Sequence, residues 1–290
     1  MKKIISAILF IIVLTPLGKA QNYNAEIFKN PPDTIPKIFG KGIITIENRA
    51  EFGLAISPSY DEIFFTAGNP DGGLMFIKKE KDGSWSSPKV ANLRGDNKFE
   101  MEAFYTLDGE QLYFTSGDTA DINKIWRSVK EKYGWSKAEQ LNSPVNKTFV
   151  FWATFTNTNT MYYTNLAVAK IYRSELVDGK YSKTTDLGIE GFQFHPTIAA
   201  DESYILFNSR RPDSFGGHDI YIAFKTNKGS WTAPINFGKQ INTDVNETCP
   251  SISPDGKFIF FSRYNDLNDK PDIYWVSSSV INDLKREIIL

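Results

Sequence analysis

Short apolar runs, each preceded by a polar turn, recur along the chain. In every copy a turn rich in Ser, Thr, Asp, Asn or Gly leads into a run of aromatic and β-branched residues, which is typical of two strands joined by a tight loop. The copies are "SPSYDEIFFT" (57–66), "TLDGEQLYFT" (106–115), "FTNTNTMYYT" (155–164), "AADESYILFN" (199–208) and "SPDGKFIFFS" (253–262). Their last residues stand 49, 49, 44 and 54 positions apart. This period predicts the blades of a β-propeller.

Each copy extends beyond this hairpin. A short apolar run precedes the turn, and a third run follows, such as "DIYIAF" (219–224) and "DIYWVS" (272–277). In the first four copies a glycine turn and an aromatic residue come next, at Gly83 and Trp85, Gly134 and Trp135, Gly179 and Tyr181, and Gly229 and Trp231. The pattern predicts an all-β chain of five four-stranded antiparallel blades. The aromatic residue that recurs once per copy indicates packing between neighbouring blades.

The fifth copy stops after its third strand, and its missing strand is found at the other end of the chain. The segment "IPKIFGKGIIT" (35–45) matches "APINFGKQINT" (233–243), the fourth strand of the fourth copy. We therefore expect residues 35–46 to complete the last blade, so that no open sheet edge remains where the ring closes. Residues 280–290 read as a short amphipathic tail.

The N-terminus reads as a signal peptide over residues 1–20. Lys2 and Lys3 precede an apolar run that is too short for a membrane span, and small residues at positions 18 and 20 predict cleavage before Gln21. The propeller then covers residues 21–290, and we expect a periplasmic or secreted protein with no membrane span after signal removal. Cys249 is the one cysteine, so no intramolecular disulfide can form.

The charge balance excludes some partners. The whole chain has 33 basic and 34 acidic residues, and removing Lys2, Lys3 and Lys19 leaves 30 − 34 = −4. A weakly acidic chain with scattered Lys and Arg has no electrostatic footprint for nucleic acid or an anionic membrane. We expect a monomer with no nucleic-acid partner.

Four stretches resemble the WD40-like (PD40) repeats of TolB-like propellers. They are "TCPSISPDGKFIFFSR" (248–263), "SRRPDSFGGHDIYIAF" (209–224), "GSWTAPINFGKQINT" (229–243) and "DIYWVSS" (272–278). The resemblance covers essentially the whole mature chain. It implies an exported bacterial propeller that serves as a binding or scaffolding module at the cell envelope. Because that family is often described as six-bladed, a six-bladed ring is the alternative to five.

The residues that open the first strand of each copy should ring one mouth of the central channel. Equivalent positions are Glu51, Glu100, Phe149, Gln193 and Glu247, and two residues further on Gly53, Glu102, Phe151, His195 and Cys249. Variation among the copies suggests an asymmetric pocket. The alternative interpretation is that the glutamates accept backbone N–H bonds in the loops between blades.

Aromatic residues and histidines offer further candidates. Phe149, Phe151 and Trp152 could stack on a sugar or an apolar side chain, or form core between blades. His195 and His218 lack the H-x-x-x-H spacing of zinc sites, so we expect neither a metal nor a cofactor. A Cys249–His195 pair is a further possibility, although a single buried thiol usually behaves as a small hydrophobe.

Arginines follow the second strand of the last two copies, beside the longest loops. Arg210, Arg211 and Arg263 have the planar guanidinium that suits carboxylate or phosphate partners. The acidic residues Asp266, Asp269 and Asp272 lack the spacing of a calcium loop and indicate a solvated turn.

Two functions fit these observations. The first is a non-catalytic module that binds an envelope protein or a cell-wall glycan through one mouth and the long loops of blades four and five. The second is a glycan-processing enzyme, a glycoside hydrolase or sialidase-like protein. Its acid, base or nucleophile would come from Glu51, Glu100, Glu102 and Glu247. Two carboxylates about 5–10 Å apart in a concave pocket would favour the enzyme.

Overall fold

The computed structural model describes residues 26–68, 72–117, 123–265 and 270–289. The predicted signal peptide lies outside these ranges. The first elements are a short 3-10 turn, Glu26–Phe28, and the two-residue strand β1, Lys37–Ile38. In these four ranges, no helix has the length and apolar character needed to cross a bilayer.

Five blades follow one another along the chain. The first blade contains β2 (Glu51–Ile56), β3 (Glu62–Ala67), β4 (Gly73–Lys78) and β5 (Lys89–Val90). The second contains β6 (Glu100–Tyr105), β7 (Gln111–Gly117), β8 (Asn123–Glu131), β9 (Gly134–Trp135) and β10 (Glu139–Gln140). The third follows a 3-10 turn (Pro144–Lys147) and contains β11 (Val150–Phe155), β12 (Met161–Asn165), β13 (Lys170–Ser174) and β16 (Thr185–Asp186). Between β13 and β16, β14 (Leu176–Val177) and β15 (Lys180–Tyr181) form a separate two-stranded hairpin.

The last two blades complete the ring. The fourth contains β17 (Phe194–Ile198), β18 (Tyr204–Ser209), β19 (Asp219–Phe224) and β20 (Ile235–Asn236). The fifth contains β21 (Asn246–Ile252), β22 (Phe258–Tyr264) and β23 (Asp272–Ser277), and the helix α1 (Val280–Ile289) follows it. The prediction of five four-stranded antiparallel blades is confirmed.

The N-terminal strand closes the ring. Strand β1 pairs antiparallel with β23, with Lys37 opposite Trp275 and Ile38 opposite Tyr274. The fifth sheet therefore runs β1, β23, β22, β21, and the inner strands β2 and β21 of the first and last blades are in contact. Both ends of the chain thus contribute to one sheet.

Turn chemistry explains why each hairpin forms. In the fifth blade, the Ser253 hydroxyl accepts the Phe258 N–H and donates to Asp255, and Gly256 takes a left-handed φ of 73°. The third copy lacks this sequence but keeps the geometry. Thr156 replaces the serine and accepts the Thr160 N–H, and Asn159 takes the glycine position at φ 58°. Asparagine tolerates this conformation, so the divergent copy still forms a blade.

The core is divided among the blade interfaces. Five apolar clusters lie one between each pair of neighbouring blades, including one that joins the N-terminal segment, the first blade and the fifth. The recurring aromatic residues take part: Trp135 of the second blade, for example, packs 6.5 Å from Phe64 of the first, between ring centroids. Helix α1 places Val280 and Ile281 between the fourth and fifth blades. A sixth cluster lies among the inner strands.

Candidate functional site

The inner strand of every blade is interrupted by a β-bulge. The pairing register shifts once in each of β2, β6, β11, β17 and β21. The residues at the bulge have left-handed backbone: Gly53 (φ 61°), Glu102 (56°), Trp152 (59°), His195 (52°) and Cys249 (55°). Such conformations are unfavourable for residues other than glycine and need support from their surroundings.

The preceding blade gives that support. The N–H groups of three bulge residues donate to threonine hydroxyls on the neighbouring second strand: Glu102 to Thr66 at 2.8 Å, Trp152 to Thr115 at 3.2 Å and His195 to Thr164 at 3.1 Å. These bonds fix three of the five bulges relative to the preceding blade.

In the third blade, the strand pairing shifts the alignment of the sequence repeats by one residue. Val150, opposite Asn165, occupies the position of Glu51, and Trp152 occupies that of Gly53. The spacing of the repeats predicts Phe149 and Phe151 at these two positions. The error arose because the polar residue that marks the start of the inner strand in the other blades is replaced by valine.

The bulge side chains meet among the inner strands. The Trp152 ring packs edge-on to His195 at 4.8 Å between centroids and to Phe104 at 4.7 Å. One ligand atom each from Glu102, His195 and Cys249 lies within 4.8 Å of the other two. Gly53, the fifth member, has no side chain, and a Cβ there would lie 3.4 Å from Glu102. The side chains of four blades thus form a plug where the inner strands meet, which we call the axial cluster (Glu102, Trp152, His195 and Cys249).

A chain of polar contacts leads outward from the axial cluster. His195 Nε2 lies 3.5 Å from Glu102 Oε1, and His195 Nδ1 lies 2.7 Å from Asn208 Oδ1. The Asn208 amide nitrogen in turn lies 3.2 Å from Nδ1 of His218. Glu102 and Cys249 are buried, whereas 16% of the His195 side chain is exposed. His195 is thus the member of the three-donor group that solvent reaches.

The surroundings of the two histidines shift their pKa values in opposite directions. Burial alone would lower the pKa of His195, but Cys249 and Glu102 against its ring raise the pKa to about 10. Burial lowers the pKa of His218, and the charges of His195 and Arg210 act in the same direction. The imidazole beside Glu102 therefore retains its proton more strongly than the one nearer the loop.

The glutamates that open the inner strands are buried, and each accepts hydrogen bonds from within the protein. Glu100 accepts the backbone N–H groups of Leu93 at 3.0 Å and Arg94 at 2.7 Å. Glu247 accepts the Thr243 N–H at 3.0 Å and the Arg263 Nε–H at 2.8 Å. These carboxylates satisfy donors of the loops between blades and of Arg263.

Glu51 and Gln193 serve the same purpose in their blades. Arg49 donates to Glu51 at 2.6 Å, and burial raises the pKa of Glu51 to about 7 against the opposing effect of Arg49. Gln193 donates from Nε2 to the Ile189 carbonyl at 2.8 Å. Glu51 and Gln193 are thus both bonded to neighbouring residues of their own chain.

The three arginines have different environments. Arg263 also donates to the Ile241 carbonyl at 2.8 Å and stacks 4.6 Å from the Tyr274 ring. Arg211 donates to the Glu190 carbonyl and lies over Tyr221. Both side chains are thus held by contacts within the ring. Arg210 is exposed, and no described residue forms an ion pair with it.

The aromatic residues of the third blade differ in their exposure to solvent. Trp152 is fully buried and Phe151 is 7% exposed, and both belong to the cluster among the inner strands. Phe151 and Trp152 therefore pack in the core between blades. Phe149, which precedes the inner strand, is 39% exposed.

Phe149 belongs to an apolar surface at one end of the ring, which we call the entry face because the inner strands begin there. Phe99 and Phe192 take the equivalent position in the second and fourth blades, and three neighbours lie in loops between second and third strands. This apolar arc, with its exposed fractions, is Phe99 (39%), Phe149 (39%), Leu166 (43%), Val168 (49%), Phe192 (60%) and Phe215 (41%). The arc extends over three consecutive blades, and sequence analysis missed it because the exposure of each residue depends on its loop.

A cavity of about 350 Å³ opens at the opposite end, where the turns between first and second strands lie. All five blades line it, with largely apolar residues such as Ile56, Tyr105, Phe155 and Ile198. Asp255 is the single carboxylate among the described lining residues, and it accepts a hydrogen bond from Ser253 at 2.7 Å. This cavity lacks the two carboxylates that glycoside hydrolysis requires.

Solved structures with a similar fold belong to different functional classes. A protein assigned as TolB from Agrobacterium tumefaciens is 18% identical, over 76% of this chain and 72% of that one, with a TM-score of 0.50. TolB from Acinetobacter baumannii is 15% identical, over 79% and 57%, with a TM-score of 0.51. A GH43 endo-arabinanase from Bacillus licheniformis is 9% identical, over 81% and 96%, with a TM-score of 0.54.

These similarities show the propeller fold alone. The chain spans little more than half of the A. baumannii protein, 57% of its length. No protein-family profile matches the sequence, and no curated protein matches it significantly. A function for this chain must therefore be argued from its own residues.

Proposed function

We propose that this protein is a non-catalytic binding or scaffolding module of the bacterial cell envelope that engages a protein partner through the apolar arc. The observation that carries the proposal is the exposure of Phe99, Phe149 and Phe192 at one equivalent position of three consecutive blades. Large apolar side chains exposed together on one face are the kind of surface that a protein partner covers.

The composition of the arc favours a protein over a glycan. Phe, Leu and Val side chains have no donor or acceptor for sugar hydroxyls, whereas they match the apolar side chains of a protein partner. Arg210 lies exposed near His218 on the same face and could contact a carboxylate at the rim of the interface. A rigid ring that displays a few exposed anchors needs little rearrangement on binding.

The state of the carboxylates argues against the enzymatic alternative. Glu51, Glu100 and Glu247 are engaged by arginine side chains or loop N–H groups, and Glu102 is buried in the axial cluster. A general acid and base must reach the scissile bond in an open pocket. None of these four glutamates has such access. Export rests on the sequence of residues 1–20, and with it the expected periplasmic or secreted location.

Site-specific photo-crosslinking in cells tests the proposal. A photoreactive phenylalanine analogue is placed at Phe149 or Phe192, and in controls at Val129 or Val177, which are exposed by 41% and 54% away from the entry face. We expect adducts with one envelope protein from the first pair and none from the second. Equal adducts from both pairs, or none from either, would contradict the proposal.

Binding of the purified partner then supplies the energetic test. Phe149→Gln and Phe192→Gln should each weaken binding by about tenfold or more, as interface anchors do. Val129→Gln and Val177→Gln should leave the Kd unchanged. Binding of cell-wall glycan that the Phe variants lose, without any protein adduct, would favour the glycan alternative instead.

A further inference from the structure

The axial cluster brings together three side chains with different donor atoms. Glu102, His195 and Cys249 come from the second, fourth and fifth blades, and each occupies the bulge position of its inner strand. Their carboxylate oxygen, imidazole nitrogen and thiol sulfur all lie within 4.8 Å of one another. We propose that these three residues form a binding site for a zinc-like transition-metal ion.

The donor set selects the class of metal. Zinc binds cysteine sulfur, histidine nitrogen and carboxylate oxygen, whereas magnesium and calcium prefer sites made of oxygen alone. Three protein ligands leave one tetrahedral position for water or an anionic ligand. The mixed sulfur, nitrogen and oxygen set therefore fits zinc, or cobalt as its spectroscopic substitute.

The spacing of the donors agrees with this geometry. Zinc–ligand bonds of about 2.0–2.3 Å place tetrahedral ligands about 3.3–3.8 Å apart. His195 Nε2 and Glu102 Oε1 are 3.5 Å apart, which is longer than an optimal charge-assisted hydrogen bond but suits two ligands of one ion. The third donor, the Cys249 sulfur, lies within 4.8 Å of the other two.

Neighbouring residues hold the ligands in place. Asn208 contacts His195 Nδ1 at 2.7 Å, so that the other ring nitrogen faces the cluster. The Thr115 hydroxyl lies 3.4 Å from Glu102 Oε2, the oxygen that does not face His195. Partners of this kind orient metal ligands in proteins and contribute to affinity.

The residues that surround the three donors are apolar. Phe52, Phe104, Phe151, Phe194 and Trp152 pack around the donors. An apolar shell lowers the local dielectric and strengthens metal–ligand bonds. His195 is the more exposed of the pair, at 16% of its side chain against 6% for Glu102. The sequence expectation of no metal was based on local spacing, which cannot detect ligands contributed by separate blades.

Cobalt spectroscopy on the purified chain tests the site directly. Residues 21–290 contain a single cysteine, so thiolate-to-cobalt charge-transfer absorption can arise only from Cys249. We expect this band to appear at one equivalent of Co²⁺ and to disappear when Zn²⁺ is added. Cobalt absorption without a thiolate band, or no binding at all, would overturn the proposal. This readout needs no variant, so a folding defect cannot obscure it.

Variants then assign the other two ligands. Equilibrium dialysis with Zn²⁺ should show a Kd raised at least a hundredfold in His195→Gln and Glu102→Gln, with folding checked by circular dichroism. Asn208→Ala, which frees the histidine ring, should raise the Kd by about 10–100-fold. His218→Gln, outside the ligand set, should bind as the native chain does. Unchanged zinc affinity in folded His195→Gln would rule out this ligand set.

Discussion

Arg263 donates from Nε to Oε1 of Glu247 at 2.8 Å, which joins the second strand of the fifth blade to its inner strand. Glu247 is fully buried, and 21% of the Arg263 side chain is exposed. Burial raises the pKa of Glu247, while the hydrogen bonds from Thr243 and the charge of Arg263 oppose that shift. The ionised form of this carboxylate thus depends on its partners.

Replacing Arg263 should destabilise the ring. Removing one partner of a buried ion pair costs about 3–5 kcal/mol because the remaining charge is left uncompensated. We expect Arg263→Ala to lower the unfolding free energy by about 3 kcal/mol, or roughly 6–12 °C in Tm for a chain of this size. Arg210→Ala, at the exposed neighbouring arginine, is the control and should melt as the native protein does.

A double variant separates charge from packing. Arg263→Ala combined with Glu247→Gln removes the uncompensated charge and should recover part of the lost stability. If Arg263→Ala melted within error of Arg210→Ala in denaturant titrations, the pair would have no structural role.

Ring closure makes the N-terminal segment essential. The Phe39 ring is fully buried and lies 4.9 Å from Phe260 and 5.3 Å from Trp275, between centroids. We expect Phe39→Ala to cost about 3–5 kcal/mol, the usual range for a buried phenylalanine. Ile35→Ala, at a side chain that is 70% exposed, should change the unfolding free energy little.

Deletion of residues 21–46 is the stronger form of this test. It removes β1 together with Phe39 and Ile44, and so opens the fifth blade and the cluster between the first and last blades. We expect loss of cooperative thermal unfolding. A truncated chain that melted like the intact one would contradict the closure of the ring by β1.

One hydrogen bond between blades can be tested in isolation. Glu62 of the first blade accepts from Tyr105 and Trp135 of the second, both at 2.9 Å. Trp135→Phe keeps most of the packing but removes the indole donor, and should cost about 1.5–3 kcal/mol as a hydrogen bond to a charged group does. Trp231→Phe is the matched control, because no described residue accepts from its indole N–H. Equal losses in calorimetry would indicate that packing alone matters.

The blade count could be predicted from sequence because each hairpin is a local unit. Ser253, Asp255 and Gly256 form their turn with residues a few positions away, so the sequence pattern and the structure coincide. In the third blade, the sequence pattern no longer gives the correct alignment. Its turn uses Thr156 and Asn159, and its inner strand begins at Val150 without a polar marker, so the alignment slipped by one residue.

The axial cluster could be predicted only in part. Aligning the repeats placed Glu102, His195 and Cys249 at equivalent positions, but an alignment does not show that a bulge turns these side chains toward one another. The contacts of Asn208 and His218 depend on strand register and loop conformation and left no motif. The exposure of Phe149 beside the burial of Trp152 is likewise a property of the assembled ring.

Glu51 gives the protein a pH-dependent contribution to stability. Burial raises its pKa from 4.5 to about 7, and Arg49 at 2.6 Å only partly offsets this effect. Between these two values the folded chain binds more protons at this site than the unfolded chain. The unfolding free energy therefore falls as pH rises from about 4.5 to 7.

Glu51→Gln should flatten this dependence. Across pH 5 to 8 we expect the native chain to lose about 2–3 kcal/mol more stability than the variant, since each pKa unit corresponds to about 1.4 kcal/mol. Denaturant titrations at several pH values measure the difference between the two slopes. Glu47→Gln, at an exposed carboxylate four residues away, should retain the native slope. Comparing slopes cancels the other titrating groups, so parallel curves for Glu51→Gln and the native chain would show that Glu51 is ionised normally in the fold.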